Sequence, residues 1–304
     1  MITSIENFTS WSWSGIFTNM IPYLDLPVSR IVRGPNIEDV EVSTDTEILL
    51  LQNVDSLNIK GNKARTVCRI GGIGLEREQD VLNGTKWDYP LSQVGAVIAT
   101  NPLLATYGAM HNRNTHMIPN GLDLSLFTPN WERRPGKMFR VGFVGNISTS
   151  FYLTYKGFHF VAGACSELFD QTEMITALYK SRQLPHEKMI SDFYDKVDCV
   201  VNMSLGEGCS NTIMEALACG VPVICTKVGY HGAKLRDGYN CLFVPRDAPA
   251  LRDAILKLAN NVHLWQVIRK NGREFAEANH DIRKIAKSYN EVFKTLLGKE
   301  ITNG

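Results

Sequence analysis

A chain of 304 residues exceeds what one ordinary hydrophobic core organises, so two domains are expected, with a single large α/β unit as the alternative. Hydrophobic residues make up 44% and charged residues 21%, as in a globular protein, and the formal net charge of +1 excludes nucleic-acid binding by bulk electrostatics while leaving room for a local basic patch. The seven cysteines include no C-x-x-C pair, which reads as reduced, buried thiols rather than a disulfide framework or a zinc site. No apolar run approaches the roughly 20 residues that span a bilayer. The N-terminus lacks the basic and apolar regions of a signal peptide, so a cytoplasmic protein is expected.

Short apolar runs alternate with helical segments, the pattern of parallel sheets covered by helices on both faces. Strands are predicted over 28–32, 48–51, 66–70, 96–100 and 116–118, with a short helix over 102–110. Pro119, Asn120 and Gly121 form a turn, and the polar stretch 128–137 (TPNWERRPGK) reads as a linker in which Arg133 and Arg134 are solvated. A second α/β set opens with a strand over 139–144 that ends on Gly145. A helix over 157–169 follows, with Phe158, Val161, Ala162, Cys165 and Leu168 on one face. Further strands are predicted over 175–178, 199–202, 223–226 and 241–244, and helices over 248–259, 264–278 and 281–297. The predicted domains are 1–127 and 128–280, followed by a helix and tail over 281–304. Two such halves joined by a linker place a cleft between them, where ligands tend to bind.

The stretch 206–222 (GEGCSNTIMEALACGVP) carries the chemistry. It reads as a loop at the carboxyl end of a buried strand, then a helix with Ser210 as N-cap, Gly220 as C′ residue and Pro222 as stop. The N–H groups around Asn211, Thr212 and Ile213, with the positive end of the helix dipole, suit a phosphate. Glu207 and Glu215 frame that anion site at different depths, so they are not a paired acid and base on one face. Carboxylates beside a phosphate are tolerable where they bind hydroxyls, and a sugar on each side of a diphosphate supplies them.

The run E-G-x-S-N-x-x-x-E-A-L-A-C-G-x-P-V resembles the signature of the retaining GT-B glycosyltransferases called family 4, or glycosyl transferases group 1. Ile118 to Asp123 with Phe127 to Pro129, Val141 to Gly145 with Lys156 and Gly157, and Val228 to Pro245 resemble further elements of that family in the same order. The resemblance implies a GT-B fold: two Rossmann-like parallel-sheet domains facing a cleft, with a C-terminal helix crossing back to the first. It implies transfer of a sugar from a UDP- or GDP-linked donor with retention, no resident cofactor and no divalent metal; the sequence holds no D-x-D motif. Glu207 would contact the transferred sugar, Glu215 the ribose, and Lys156 the diphosphate alongside Gly208, Ser210 and the N–H groups of Asn211 to Ile213. Gly145 and Asn146 would line the same site.

Some positions depart from the family pattern. Asn146 stands where members commonly carry an Arg, for which Arg140 or Arg69 is a substitute. Gly71 stands where many carry a His. The nearest counterpart of the Gly-rich phosphate loop in the first domain is the stretch 12–15, with Ser14 and Gly15, followed by Arg69 and Gly71; the G-G-x-G of Gly71, Gly72 and Gly74 is alone more often a tight turn. A strand over residues 1–5 is expected ahead of this loop. These departures motivate two alternatives, a sugar-nucleotide-binding protein without transfer and a GT-B sugar-nucleotide epimerase. The acceptor is a saccharide, a lipid-linked glycan, a protein or a modified nucleic-acid base. Residues 1–118 carry nine basic and twelve acidic side chains, which disfavours DNA or an anionic membrane surface. Phe8, Trp11, Trp13, Ile16 and Phe17 offer a peripheral membrane contact or, more simply, core packing. The seven His show no ligand spacing.

Overall fold

The computed structural model describes residues 1–7, 13–33, 39–41, 45–52, 58–60, 65–71, 91–178 and 188–298. The chain divides into two compact units, residues 1–122 with 281–304, and residues 123–280. The boundary falls before the polar run 128–137. Phe127 is buried within the second unit, edge-on to Tyr194, and its carbonyl accepts from Arg273 Nη1 at 2.6 Å. The run itself also belongs to this unit. Arg133 binds the fully buried Asp198 at 2.8 Å, and Arg269 donates to the Asn130 carbonyl at 2.6 Å. Arg133 is therefore half-buried as the partner of Asp198, not a freely solvated linker residue. Charge in a polar run suggests exposure, whereas a buried carboxylate requires a cation.

The first unit is built on strands β1 (Ile2–Asn7), β2 (Val28–Arg33), β4 (Ile48–Gln52), β6 (Thr66–Ile70), β7 (Ala96–Ala99) and β8 (Thr115–Met117). They form one parallel sheet in the order β2-β1-β4-β6-β7-β8, with Ile2 opposite both Val28 and Ile48. Two short strands, β3 (Asp39–Glu41) and β5 (Asn58–Lys60), pair separately. β6 and β7 are buried along their whole length, as inner strands of a parallel sheet covered on both faces are. Helix α1 (Trp13–Met20) follows β1, and α2 (Pro102–His111) follows β7. Asn101 caps α2 by accepting from the Leu104 N–H at 2.9 Å, and Pro102 fills its first turn.

Strands β9 (Phe139–Gly145), β10 (Thr172–Leu178), β11 (Cys199–Asn202), β12 (Val223–Cys225) and β13 (Leu242–Phe243) make the second unit's parallel sheet, in the order β10-β9-β11-β12-β13. Its helices are α3 (Ser150–Lys156), α4 (Phe158–Glu167), α5 (Met189–Asp192), α6 (Asn211–Ala218), α7 (Gly229–Lys234), α8 (Ala248–Ala259) and α9 (Val262–Asn279). Val161, Ala164 and Cys165 of α4 join Phe143, Val201 and Trp265 in one core. Helix α3 lies in a stretch for which no element is predicted from the sequence. Thr149 accepts from the Tyr152 N–H at 3.2 Å to start it, and Gly157, at φ +67°, ends it.

The last helix, α10 (Ile282–Leu297), leaves the second unit and packs in the first. Asn290 accepts from the Asp25 N–H at 3.1 Å and donates to the Tyr23 carbonyl at 3.1 Å; Lys294 pairs with Asp25 at 2.8 Å. Gly121 is more than a turn-former, because a Cβ there would lie 3.0 Å from Ile282 Cα. Asn120 likewise accepts from Arg69 Nη2 at 2.6 Å.

Candidate active site

In the second unit the carboxyl ends of β9, β11, β12 and β13 carry the residues singled out from the sequence. Lys156, at the end of α3, places Nζ 2.7 Å from Glu207 Oε1. The Ser204 hydroxyl reaches the same carboxylate oxygen at 2.7 Å. The loop between β11 and α6 is held against α3, since the Leu205 N–H donates to the Tyr155 carbonyl at 2.9 Å and the Tyr155 hydroxyl donates to the Gly206 carbonyl. Gly145 ends β9 beside this pair, with Lys156 Cγ 3.7 Å from where its Cβ would stand. The structure thus brings Lys156, Glu207 and Gly145 together. Asn146 accepts from the Ser148 N–H at 2.9 Å.

Ser210 is the N-cap residue of α6, but its side chain does not cap it. The hydroxyl accepts from Asn202 Nδ2 at 3.1 Å instead, so it is not folded over the N–H groups of Asn211 and Thr212. Gly208 presents its carbonyl to the Tyr230 N–H at 2.8 Å, and Ile213 is buried in the core. Gly220, at φ +62°, follows the helix as expected. Glu215 is 4% exposed and accepts from the Tyr194 hydroxyl at 2.8 Å. Burial and then the Glu215 charge push the Tyr194 phenol well above its usual range, so it remains a donor.

A recess of about 410 Å³ opens beside this loop, lined by Ser204, Thr226, Lys227, Phe243 and Arg246 among others. Arg246 was not anticipated from the sequence. Its Nε donates to the Met203 carbonyl at 2.8 Å, it also bonds the Thr154 carbonyl, and burial lowers its pKa. The signal was its position directly after Phe243 to Pro245. Tyr194 carried none, because it reaches Glu215 only through the tertiary fold, and Ser204, three residues before Glu207, lies outside the run that carries the resemblance. Arg140, proposed as a substitute cation, sits near the start of β9 and pairs with Glu173 at 3.3 Å, away from the carboxyl ends.

The first-unit candidates lie otherwise. Ser14 and Gly15 fall within α1, so the backbone there is helical and not the expected loop. Arg69, near the end of β6, is 6% exposed, and a Cβ on Gly71 would sit 2.9 Å from its Nη1 and 2.9 Å from Thr100 Cγ2. Packing against Arg69 and Thr100 is reason enough for glycine at 71. Phe8, Trp11, Ser12, Gly72 and Gly74 are outside the described residues.

Residues 139–261 match the family model of the glycosyl transferases group 1. The chain is similar to the group 1 glycosyl transferases. It is 37% identical over 89 residues to an uncharacterized glycosyltransferase of Methanocaldococcus jannaschii, covering 29% of this chain and 25% of that protein. It is 26% identical over 201 residues to the putative teichuronic acid biosynthesis glycosyltransferase TuaC of Bacillus subtilis, covering 60% of this chain and 51% of TuaC. The chain thus spans about a quarter to about half of the length of these two curated relatives. Among solved structures, the sucrose-phosphate synthase of Thermosynechococcus elongatus superposes with a TM-score of 0.75 at 17% identity, over 98% of this chain and 99% of that one. HepE of Anabaena, in complex with UDP and glucose, gives 0.69 at 14% identity over 97% and 99%. These likenesses show the fold, two Rossmann-like parallel-sheet units of the GT-B class, as the group 1 resemblance implied. No described helix is long and apolar enough to cross a membrane.

Proposed function

We propose that the chain is a retaining glycosyltransferase that takes its sugar from a nucleotide-diphosphate donor bound to the second unit. The observation that carries this reading is the 2.7 Å pairing of Lys156 with Glu207, at the carboxyl ends of parallel strands and immediately before the N-terminus of α6. On donor binding, Lys156 turns to the diphosphate, which also receives the first-turn N–H groups of α6. Glu207, steadied by Ser204, accepts from the hydroxyls of the transferred sugar, and Glu215, steadied by Tyr194, accepts from the ribose. The bond from the anomeric carbon to the diphosphate breaks, and the acceptor oxygen bonds that carbon on the same face. The acceptor proton passes to the departing phosphate oxygen. Fixed dipoles and the Lys156 charge stabilise the leaving diphosphate, so the step needs no divalent metal.

The complex of HepE with UDP and glucose makes UDP the first donor nucleotide to try, with GDP second. The experiment measures donor binding by thermal shift and donor hydrolysis or transfer in excess EDTA. Lys156→Ala and Glu207→Ala should each cost about 100-fold or more in turnover, as loss of a charged transition-state contact does. Wild-type turnover in both variants would remove these roles. Binding without hydrolysis or transfer across a broad acceptor panel would leave a sugar-nucleotide-binding protein, the reading that Asn146 favours by offering no second cation.

A further inference from the structure

Cys209, His231 and His280 converge inside the second unit from three separate elements: the loop before α6, helix α7, and the C-cap of α9. All three are buried, and one ligand atom from each lies within 4.8 Å of the other two. Among the described residues no other trio of His, Cys, Asp or Glu converges in this way. The Nε2 atoms of His231 and His280 face each other at 3.2 Å, and Tyr230 and Phe275 pack against both rings. His231 Nδ1 is buried without a partner, so the polar contacts of that ring lie on its Nε2 edge, toward His280.

We propose that Cys209, His231 and His280 form a site for a thiophilic divalent cation, with zinc as its representative, separate from the sugar-transfer chemistry. Tetrahedral zinc, with Zn–N near 2.0–2.1 Å and Zn–S near 2.3 Å, sets two nitrogens about 3.3 Å apart and a sulfur about 3.6 Å from each. The observed 3.2 Å and the 4.8 Å limit need only small side-chain adjustment to meet that geometry. On binding, the Cys209 thiol releases its proton to solvent as the metal–sulfur bond forms, and the fourth position is left to water or another group. The cation would tie the loop that carries Glu207 to α7 and α9, reinforcing the bond from the Tyr230 N–H to the Gly208 carbonyl.

The test uses the full chain, purified reduced, loaded with zinc and desalted. Bound zinc should be about one per chain, and Cys209→Ser and His280→Gln should each lower retention by about tenfold or more. Cobalt in place of zinc should give the wild type a thiolate-to-metal charge-transfer band that Cys209→Ser lacks. Circular dichroism shows whether each variant is folded, and the wild-type cobalt spectrum decides the matter if a variant is not. Failure of the wild type to retain zinc, absence of the band, or unchanged retention in folded Cys209→Ser would each overturn the proposal. Neither readout involves a sugar donor, so this result is independent of the transferase reading.

Discussion

Tyr194 donates its hydroxyl to Glu215 across 2.8 Å, and both side chains are buried. The contact joins the short turn before β11 to the middle of α6, so it fixes the helix whose N-terminus is proposed to receive the diphosphate. Tyr194→Phe removes the donor and keeps the ring against Phe127 and Phe193. A hydrogen bond to a charged group lost in a buried setting costs about 1.5–3 kcal/mol. Urea unfolding should show that loss with an unchanged m-value, and the UDP-induced thermal shift should shrink. Equal stability and an equal shift would mean that Glu215 is held by other partners.

Arg133 and Asp198 set a second test. Asp198 is fully buried and accepts from Arg133 Nη2 at 2.8 Å, Arg133 Nε at 3.2 Å and the Arg140 N–H at 2.7 Å. Removing the cation leaves a buried carboxylate with one backbone donor in place of three. Arg133→Met should destabilise by about 3 kcal/mol, the lower end for a broken buried pair because Arg133 keeps some exposure. Denaturant titration measures it, and a change below about 0.5 kcal/mol would assign the pair to the ordinary surface class.

Two buried thiols predict behaviour at high pH. Burial raises Cys68 from 9.0 to about 12 and Cys165 from 9.0 to about 11. The unfolded chain loses these protons near pH 9 while the folded chain keeps them, so the unfolded state binds fewer protons between those values. Stability is therefore fully present below about pH 9 and falls as pH rises toward 11–12. The Tm measured from pH 8 to 11 should decline, and Cys68→Ala should flatten the decline from a lower starting value. A slope unaltered by Cys68→Ala and by Cys165→Ala would assign it to other groups.

Much of this molecule can be read from local signals. The start of α8 follows from Asp247, which accepts from the Ala250 N–H at 3.0 Å, and from proline in the first turn. β11 is a short, wholly buried apolar run, legible as a strand in a parallel sheet. Helix α3 was missed because SFYLTYK leaves Phe151 and Tyr152 exposed, so it lacks an apolar stripe and only Thr149 and Gly157 mark it. The same holds for the site. Glu207, Glu215 and Lys156 sit in recognisable motifs, whereas Tyr194 and Arg246 act through contacts formed only when separate segments meet, and Ser204 reaches Glu207 within one loop but lies outside the motif. The Cys209, His231 and His280 cluster had no spacing to betray it, since its members come from three elements far apart in the chain.

Gly157 and Gly163, both near the start of the helical stretch after Lys156, should respond to alanine with opposite signs. Gly157 takes φ +67°, and a Cβ there would stand 2.6 Å from the Met203 carbonyl oxygen and 2.7 Å from Met203 Cβ. Left-handed backbone costs a non-glycine residue about 1–2 kcal/mol, and relieving the clash must move either Lys156 or the segment leading to Glu207. Gly157→Ala should therefore destabilise by at least ~2 kcal/mol and weaken the donor-induced thermal shift together with turnover. Gly163 lies inside α4, where a Cβ would meet Ala248 Cβ at 3.8 Å, an ordinary contact. Gly163→Ala should stabilise by about 0.5–1 kcal/mol through helix propensity and leave donor response unchanged. Thermal unfolding of both variants with and without UDP checks the pair. A neutral Gly157→Ala would show that the turn relaxes without disturbing Lys156, and the placement of that lysine would then have to be credited to Glu207 alone.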